Sequence, residues 1–209
     1  MRLLGEFIGL YLAAPLIMAM VLPPVLMFPM LFTMTAVGVA LLHGTDGFDW
    51  RDLACGSRGV DWPLLGAFTL IAAVMTAGLT RLLNPQGFLF LALHNPWFLA
   101  LILILYPVMS ALPQELIFRV LFFRRYGSLQ PGPKIGIVLN AALFSLAHLM
   151  YWNWTVIAVT FAGGLVCAWI YEIRRNFIEA VLVHAIAGEL IFTMGLGSLF
   201  YSGNVIRPF

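Results

Sequence analysis

Long apolar runs alternate with short polar stretches along the whole chain. A helix that spans a membrane needs about 20 apolar residues, because each residue adds about 1.5 Å of rise. Runs of this kind recur about seven times, over residues 3–22, 24–42, 63–82, 95–112 continuing to about 126, 134–151, 155–173 and 176–197. The pattern predicts an all-α, polytopic transmembrane helical bundle of about seven spans, with a range of about six to eight, in a single membrane-embedded domain over residues 1–209.

The stretches between these runs carry turn and interface signals. Residues 43–62, HGTDGFDWRDLACGSRGVDW, form a sizeable polar loop. Residues 84–96, NPQGFLFLALHNP, are too short to span and begin and end with turn residues, so we expect a short amphipathic segment along the interface. The prolines in LPP at 22–24 predict a tight turn between the first two spans, because the residue before a proline disfavours helix.

Composition assigns the chain to a class. It has 209 residues, of which 62% are hydrophobic and 10% charged, whereas an ordinary soluble domain is about 25% charged. These values predict an integral membrane protein. The net charge of +2 comes from scattered arginines and forms no basic patch, so we expect no nucleic-acid partner. Cys55 in a polar loop and Cys167 in an apolar run are too differently placed to predict a disulfide, and we interpret both as structural.

The cations predict the orientation. With seven spans, Arg81 and Arg207 fall on one side of the membrane and the other loop cations on the opposite side, namely Arg2, Arg51, Arg58, Arg124, Arg125, Lys134, Arg174 and Arg175. Because cytoplasmic loops carry the excess of Lys and Arg, we expect the N-terminus in the cytoplasm and the C-terminus outside. The aromatic YWNW at 151–154 then lies at the outer interface, where Trp and Tyr are enriched.

Glu115 and Arg119 form the first polar group inside an apolar run. They are four residues apart, so they share a helix face and can pair. An ionisable residue inside a membrane costs about 2.5–3.5 kcal/mol even on lenient scales, and such residues usually face a protein interior and serve a function. Pro113 fits the first turn of a helix and predicts that the fourth span kinks or restarts there. A structural ion pair that locks two helices together is the alternative interpretation.

Two later spans carry histidines. His148 follows Phe144 by four residues in the fifth span, and His184 lies in the seventh. Either histidine alone is more typical of packing than of catalysis. Glu189 follows His184 by five residues, which is about 140° around a helix, so the two do not share a face. Glu189 is a possible site residue, but we expect it to partner an arginine or a backbone group.

Depth in the membrane links the three candidates. Counted from the cytoplasmic helix ends at about 1.5 Å per residue, Glu115, His148 and His184 lie roughly 15, 20 and 12 Å into the membrane. We therefore predict that they meet in one cavity near the midplane. A carboxylate and two imidazoles can activate water and stabilise the resulting oxyanion. His43 and His94 lie at span ends and are assigned no role.

The order of these residues resembles the CPBP family of intramembrane endopeptidases, which includes the prenyl-CAAX proteases and bacteriocin-processing relatives. The resemblance covers about half of the chain, residues 105–200, and rests on Gln114-Glu115-x-x-x-Arg119, on Phe144-x-x-x-His148 and on His184 in a late apolar helix. It implies a helical membrane protease that cleaves a peptide bond within or beside the bilayer. In the family a glutamate and a histidine hold the attacking water, and a later histidine, with Asn or Asp four residues on, helps to bind the oxyanion.

Two positions depart from the family pattern. The first family glutamate, usually assigned the catalytic role, is Gln114 here, and an amide cannot accept a proton from water. An engineered inactivation, a natural subgroup that uses Glu115 and a pseudoenzyme are the three explanations, and we favour the natural subgroup. The family Asn or Asp is Gly188 here, so the oxyanion must rely on His184, a backbone N–H or the Gln114 amide.

These observations predict Glu115, His148 and His184 as catalytic residues, with Glu115 as the base. Arg119 would fix the helix and the charge of Glu115, and Gln114 would donate a hydrogen bond beside the scissile carbonyl, with Phe144 and Gly188 as further supporting positions. We expect no cofactor. Zinc is the alternative, because the three catalytic candidates could supply three ligands and leave a fourth position for water. Against zinc, the chain lacks a His-Glu-x-x-His helix and has few carboxylates to orient the imidazoles.

The predicted function is a glutamate-dependent intramembrane endopeptidase that cleaves a membrane-anchored protein or peptide tail in the bilayer. A catalytically impaired or non-catalytic scaffold of the same fold is the first alternative, and it would explain Gln114. A proton-coupled transporter is the second, but matching half-repeats with broken helices are not evident. Size and resemblance predict a bacterial inner membrane, where a C-terminal sorting tail or a peptide precursor is a more plausible substrate than a prenylated tail.

Overall fold

The computed structural model describes residues 1–54 and 59–209, and all the regular secondary structure that it describes is helical. Cys55 and Arg58, which entered the sequence argument, lie outside the described residues. Seven described helices are long and apolar enough to cross a membrane: α1 (Arg2–Met20), α2 (Pro24–His43), α3 (Trp62–Leu83), α4 (Pro96–Arg125), α5 (Pro133–Tyr151), α6 (Trp154–Glu172) and α7 (Phe177–Met194). The predicted all-α bundle is confirmed, and the chain is an integral membrane protein.

Side-chain caps fix where four of these helices begin. Asp61 accepts a hydrogen bond from the backbone N–H of Leu64 at the start of α3, and Asn95, Asn153 and Asn176 cap α4, α6 and α7 in the same way. Such caps satisfy backbone donors that the first helical turn leaves free, which matters more where water is scarce. Short polar residues at these four positions therefore set the helix boundaries that hydropathy alone leaves open.

Two short helices lie in the connections. Residues Phe90–His94 form a helix inside the segment expected to lie along the interface, and Arg51–Ala54 form another in the polar loop. Helix α7 ends at Gly195, whose φ of 107° favours glycine, and a Cβ there would also collide with the Gly87 carbonyl. This close approach packs the end of α7 against the segment between α3 and α4.

Helix α4 does not restart at Pro113, one of the two outcomes expected there, but continues through it. Wide π-helical turns at Pro107–Ala111 and Leu116–Leu121 flank the short α-helical stretch Leu112–Glu115, so the helix takes up the missing proline N–H without ending. The second wide turn is braced from outside. The Tyr11 hydroxyl of α1 donates to the Ile117 carbonyl at 2.7 Å, and the Asn140 side chain of α5 donates to the Phe118 carbonyl.

Ion pairs link helix ends and connections at one end of the bundle. Arg125 at the end of α4 pairs with Glu6 of α1 at 2.8 Å, and Arg174 after α6 pairs with Asp61 before α3 at 2.9 Å. The Leu64 N–H, together with the Arg174 guanidinium, lowers the pKa of Asp61, so its carboxylate stays charged. These cations share one end, as alternating spans require, while the orientation of that end in the membrane stays a prediction.

The opposite end is closed by the segment that follows α7. Arg207 donates to the Met18 and Leu22 carbonyls at the end of α1, where helix carbonyls lack partners within the helix. The Phe209 ring packs on Trp152 at a centroid distance of 5.5 Å, and the Trp152 indole donates to the Ala19 carbonyl. The segment is thus anchored to both α1 and the turn after α5.

Candidate active site

Glu115 and Arg119 form a buried ion pair, as their spacing predicts. The Arg119 Nε donates to Glu115 Oε2 at 3.1 Å, and both side chains have no exposed surface. Arg119 also donates to the Asn140 side chain of α5. Because Asn140 in turn binds the Phe118 carbonyl, the pair is tied to both α4 and α5 and is rigidly placed.

The second carboxylate oxygen of Glu115 binds His184. The His184 Nδ1 lies 2.8 Å from Glu115 Oε1, and the histidine is 8% exposed. A carboxylate oxygen accepts hydrogen bonds, so Nδ1 carries the proton in this contact and the ring is held with Nε2 at its opposite edge. The shared depth predicted for these two residues on α4 and α7 therefore becomes a direct contact.

Phe144 contacts three other side chains of the site. Its ring lies 5.4 Å from the His184 ring and 4.7 Å from the His148 ring, and the Arg119 guanidinium lies 4.8 Å from its centroid. It therefore packs against both histidines and covers the buried cation. The sequence assigned Phe144 only a supporting position in a motif.

His148 lies at the end of the regular α-helix of α5. Its Nδ1 lies 2.8 Å from the Phe144 carbonyl, and a carbonyl oxygen only accepts. Nδ1 therefore carries the proton in this contact, and Nε2 of the neutral ring is a free proton acceptor. This tautomer is the one that a general base needs.

A cavity of about 550 Å³ lies between the helices. Its volume is in the range of small-molecule sites, and its wall is mostly apolar. Polar groups in the wall include Tyr106, Ser110 and Gln114 on α4 and His148 on α5. The segment Phe200–Ser202 forms part of the wall at the end that Arg207 anchors.

Of the three predicted catalytic residues, one lines this cavity. His148 lines it, whereas Glu115 is fully buried behind the wall and His184 is held beside it. The adjacent Gln114 faces the cavity instead, because neighbouring residues point about 100° apart on a helix. The site consists of a cavity-facing pair, Gln114 and His148, backed by a buried pair, Glu115 and His184.

Gly188 also lines the cavity, one turn after His184 on α7. A Cβ at Gly188 would collide with three atoms of Tyr106, namely the ring carbons Cε1 and Cζ and the hydroxyl oxygen. Tyr106 therefore occupies the space in which a side chain at position 188 would lie. Glu189 is half-buried and makes no hydrogen bond or ion pair with the described residues, so the arginine partner expected for it is not found among them.

Sequence reasoning missed Asn140 and Tyr106. Both were detectable as members of a spacing of four: Asn140 precedes Phe144 and His148 on α5, and Tyr106 precedes Ser110 and Gln114 on α4. Residues spaced by four lie on one helix face. Each set of residues spaced by four therefore indicated that polar groups share one face of an apolar helix.

The alternative zinc site has no ligand set in the described part of the chain. No group of three or more His, Cys, Asp or Glu side chains there is arranged to hold a metal ion. Glu115 and His184 are in contact, and Phe144 packs against both His184 and His148. We derive no chemical step through a metal.

A helical membrane bundle with a buried carboxylate–imidazole pair beside an apolar cavity is suited to hydrolysis inside a bilayer. The comparisons agree with that class. Residues 95–188 match the sequence model of a family described as type II CAAX prenyl endopeptidase, Rce1-like. The match runs from the start of α4 into α7 and confirms the resemblance that the motifs predicted. Searches of curated proteins and of solved structures found no match.

Proposed function

We propose that the protein is an intramembrane endopeptidase that cleaves a membrane-anchored protein or peptide tail. The observation that carries this proposal is the cavity of about 550 Å³ whose apolar wall holds Gln114 and His148 next to the buried Glu115–His184 pair. The family match supports peptide-bond hydrolysis as the reaction. The size of the chain and the family support a bacterial inner membrane as its location, with the N-terminus in the cytoplasm.

The positions of the side chains favour a division of roles that differs from the one expected for Glu115. His148 Nε2 takes a proton from water while the water oxygen bonds to the scissile carbonyl carbon, and the carbonyl π electrons move to its oxygen. The tetrahedral intermediate then re-forms the C=O bond, the C–N bond breaks, and the proton on His148 passes to the leaving nitrogen. The free N–H of the Gln114 amide, whose other contact is Ser110, is available to the carbonyl oxygen.

Glu115 acts through His184 in this proposal. Its two oxygens are engaged by Arg119 and His184, and it has no exposed surface, so water in the cavity does not reach it in this arrangement. A carboxylate that fixes a histidine in one orientation is an established way to hold an imidazole for catalysis. Cleavage therefore depends on the glutamate, but the glutamate positions a histidine and does not itself touch the substrate.

The cavity wall supports access for the substrate from the lipid. Phe28 and Phe32 of α2, and Phe98, Leu101 and Leu105 of α4, line the cavity and are each more than a third exposed. Helix α2 packs mainly on residues 112–125 of α4, so the two helices share less contact where these side chains lie. An apolar tail can enter there without crossing a polar surface.

We expect a tail anchored in proteoliposomes to be cut faster than a soluble peptide of the same sequence. Moving one Gly or Pro through the apolar segment should change the cleavage rate, because an intact helix hides its carbonyls in its own hydrogen bonds. Leu105→Trp at the opening should slow cleavage, whereas Leu93→Trp on the short interface helix should not. Equal rates for soluble and anchored substrates, without dependence on helix-breaker position, would contradict the buried-site proposal.

The non-catalytic scaffold stays as a second candidate, because full burial and double engagement of Glu115 also suit a purely structural role. The same cleavage assay decides between the two. No cleavage of any anchored tail, by a protein that remains folded, would favour the scaffold.

We further expect cleavage to persist after exhaustive chelation, because the described residues offer no cluster of three metal ligands. Elemental analysis of the purified protein should find far less than one zinc ion per chain. A content near one zinc per chain, with activity lost on chelation and recovered on re-addition, would overturn the metal-free mechanism.

A further inference from the structure

We propose that the Tyr106 hydroxyl donates a hydrogen bond to the oxyanion that forms during peptide hydrolysis, in the space left by Gly188. This inference rests on the proposed endopeptidase function and adds a catalytic residue to it. No covalent bond to Tyr106 is involved. The electrons of the carbonyl π bond move to the oxygen, which accepts the Tyr106 O–H hydrogen bond until the C=O bond re-forms.

The contact between Tyr106 and Gly188 supports this role for the hydroxyl. The atoms of Tyr106 that a Cβ at position 188 would meet include the hydroxyl oxygen, so the polar end of the ring, not its base, lies over the glycine. Both residues line the cavity. A glycine at this point lets a hydroxyl from α4 reach the surface of α7, one turn from His184.

The row of polar groups on α4 is the second argument. Gln114 Nε2 donates to Ser110 Oγ at 2.8 Å, and Tyr106 precedes Ser110 by four residues on α4. All three side chains line the cavity. The row keeps the hydroxyl of Tyr106 and the amide of Gln114 on the face of α4 that the substrate would meet.

The packing of the Tyr106 ring is the third argument. The ring lies edge-on to Phe192 at 5.9 Å and to His184 at 6.2 Å, so aromatic neighbours on α7 hold it from two sides. A donor fixed before the reaction stabilises developing charge without the cost of reorganisation, and this effect is larger where water is excluded. Tyr106 has the position, the donor and the rigidity that such a role requires.

Tyr106→Phe tests the proposal because it keeps the ring and its packing and removes only the hydroxyl. We expect kcat for an anchored tail to fall by about 10²–10³-fold, the usual cost of losing one oxyanion donor, with little change in KM or in thermal unfolding. Tyr171→Phe is the matched control, since Tyr171 is also buried but lies near the end of α6, away from the residues that line the cavity. It should leave kcat unchanged.

Gly188→Ala gives a second, independent readout. The added methyl must displace the Tyr106 ring, so kcat should fall in the wild-type background. If the loss comes from moving the hydroxyl, Gly188→Ala should add little to Tyr106→Phe, because effects that share one cause are not additive. Fully additive losses would mean that Gly188 acts through something other than Tyr106 and would count against the proposal.

Binding of a tail with a phosphinate in place of the scissile amide separates the two proposals. Its anionic oxygens mimic the tetrahedral intermediate, and Tyr106→Phe should weaken its binding at least about tenfold relative to the amide. One outcome would exclude Tyr106 alone: the wild type cleaves, His148→Ala does not cleave, and Tyr106→Phe is unchanged in both kcat and phosphinate binding. The endopeptidase function would then stand without Tyr106. If the wild type neither cleaves tails nor binds the phosphinate, both proposals fall.

Discussion

His148→Ala is expected to reduce cleavage of an anchored tail by about 10²–10⁴-fold, the contribution that a positioned general base makes. His148 is the histidine that lines the cavity, and its Nδ1 contact with the Phe144 carbonyl leaves Nε2 as the proton acceptor. The measurement is the initial rate in proteoliposomes, with thermal unfolding recorded in parallel. His94→Ala on the exposed interface helix is the control and should cleave normally.

The companion variants Glu115→Gln and His184→Ala should also abolish cleavage, and their double variant should lose no more than either single one. This follows because Glu115 is proposed to act through His184, and residues that act as a unit are not additive. Cleavage at a near wild-type rate in any single variant would remove that residue from the mechanism. Additive losses for Glu115 and His184 would instead favour two separate roles.

Arg119→Ala is expected to lower the free energy of unfolding by about 3–5 kcal/mol, because it leaves the buried Glu115 carboxylate without its cation. The substitution also removes the partner of the Asn140 side chain and the cation over Phe144. Thermal or chemical unfolding in detergent measures the loss. Arg119→Lys keeps the charge but not the planar guanidinium, so it should fall between the wild type and Arg119→Ala.

Arg2→Ala is the matched control for that experiment. Arg2 also pairs with a glutamate four residues away, Glu6, but its side chain is 88% exposed and the pair is screened by solvent. We expect little change in stability. Equal losses for Arg2→Ala and Arg119→Ala would mean that burial does not set the strength of the Glu115 pair.

The spans and the ion pair were predictable because they depend on local sequence. Hydrophobic length located all seven long apolar helices of the described residues, and a spacing of four paired Glu115 with Arg119. Depth, counted along the helices, also brought Glu115 and His184 to one level, and the structure places them in contact. These predictions needed only the rise per residue and the length of each apolar run.

Which side chains face the cavity could not be predicted in the same way. Gln114 and Glu115 are neighbours in sequence, and which of them meets the cavity depends on how α4 is rotated against α5 and α7. The wide turns at Pro107–Ala111 and Leu116–Leu121 change that rotation, and a count of 3.6 residues per turn does not include them. The Tyr106–Gly188 contact likewise joins two helices far apart in sequence.

The wall formed by Phe200–Ser202 bears on how water reaches the cavity. Each hydrolysis consumes one molecule of water, yet the mostly apolar lining and the anchored segment at one end leave water few places to bind. In the proposed function the substrate enters from the lipid, so water is the reagent that the cavity itself has to hold. The row from Tyr106 through Ser110 to Gln114 supplies hydrogen-bonding positions inside the cavity, so the side chains that we propose to bind the carbonyl would also have to retain the water nucleophile.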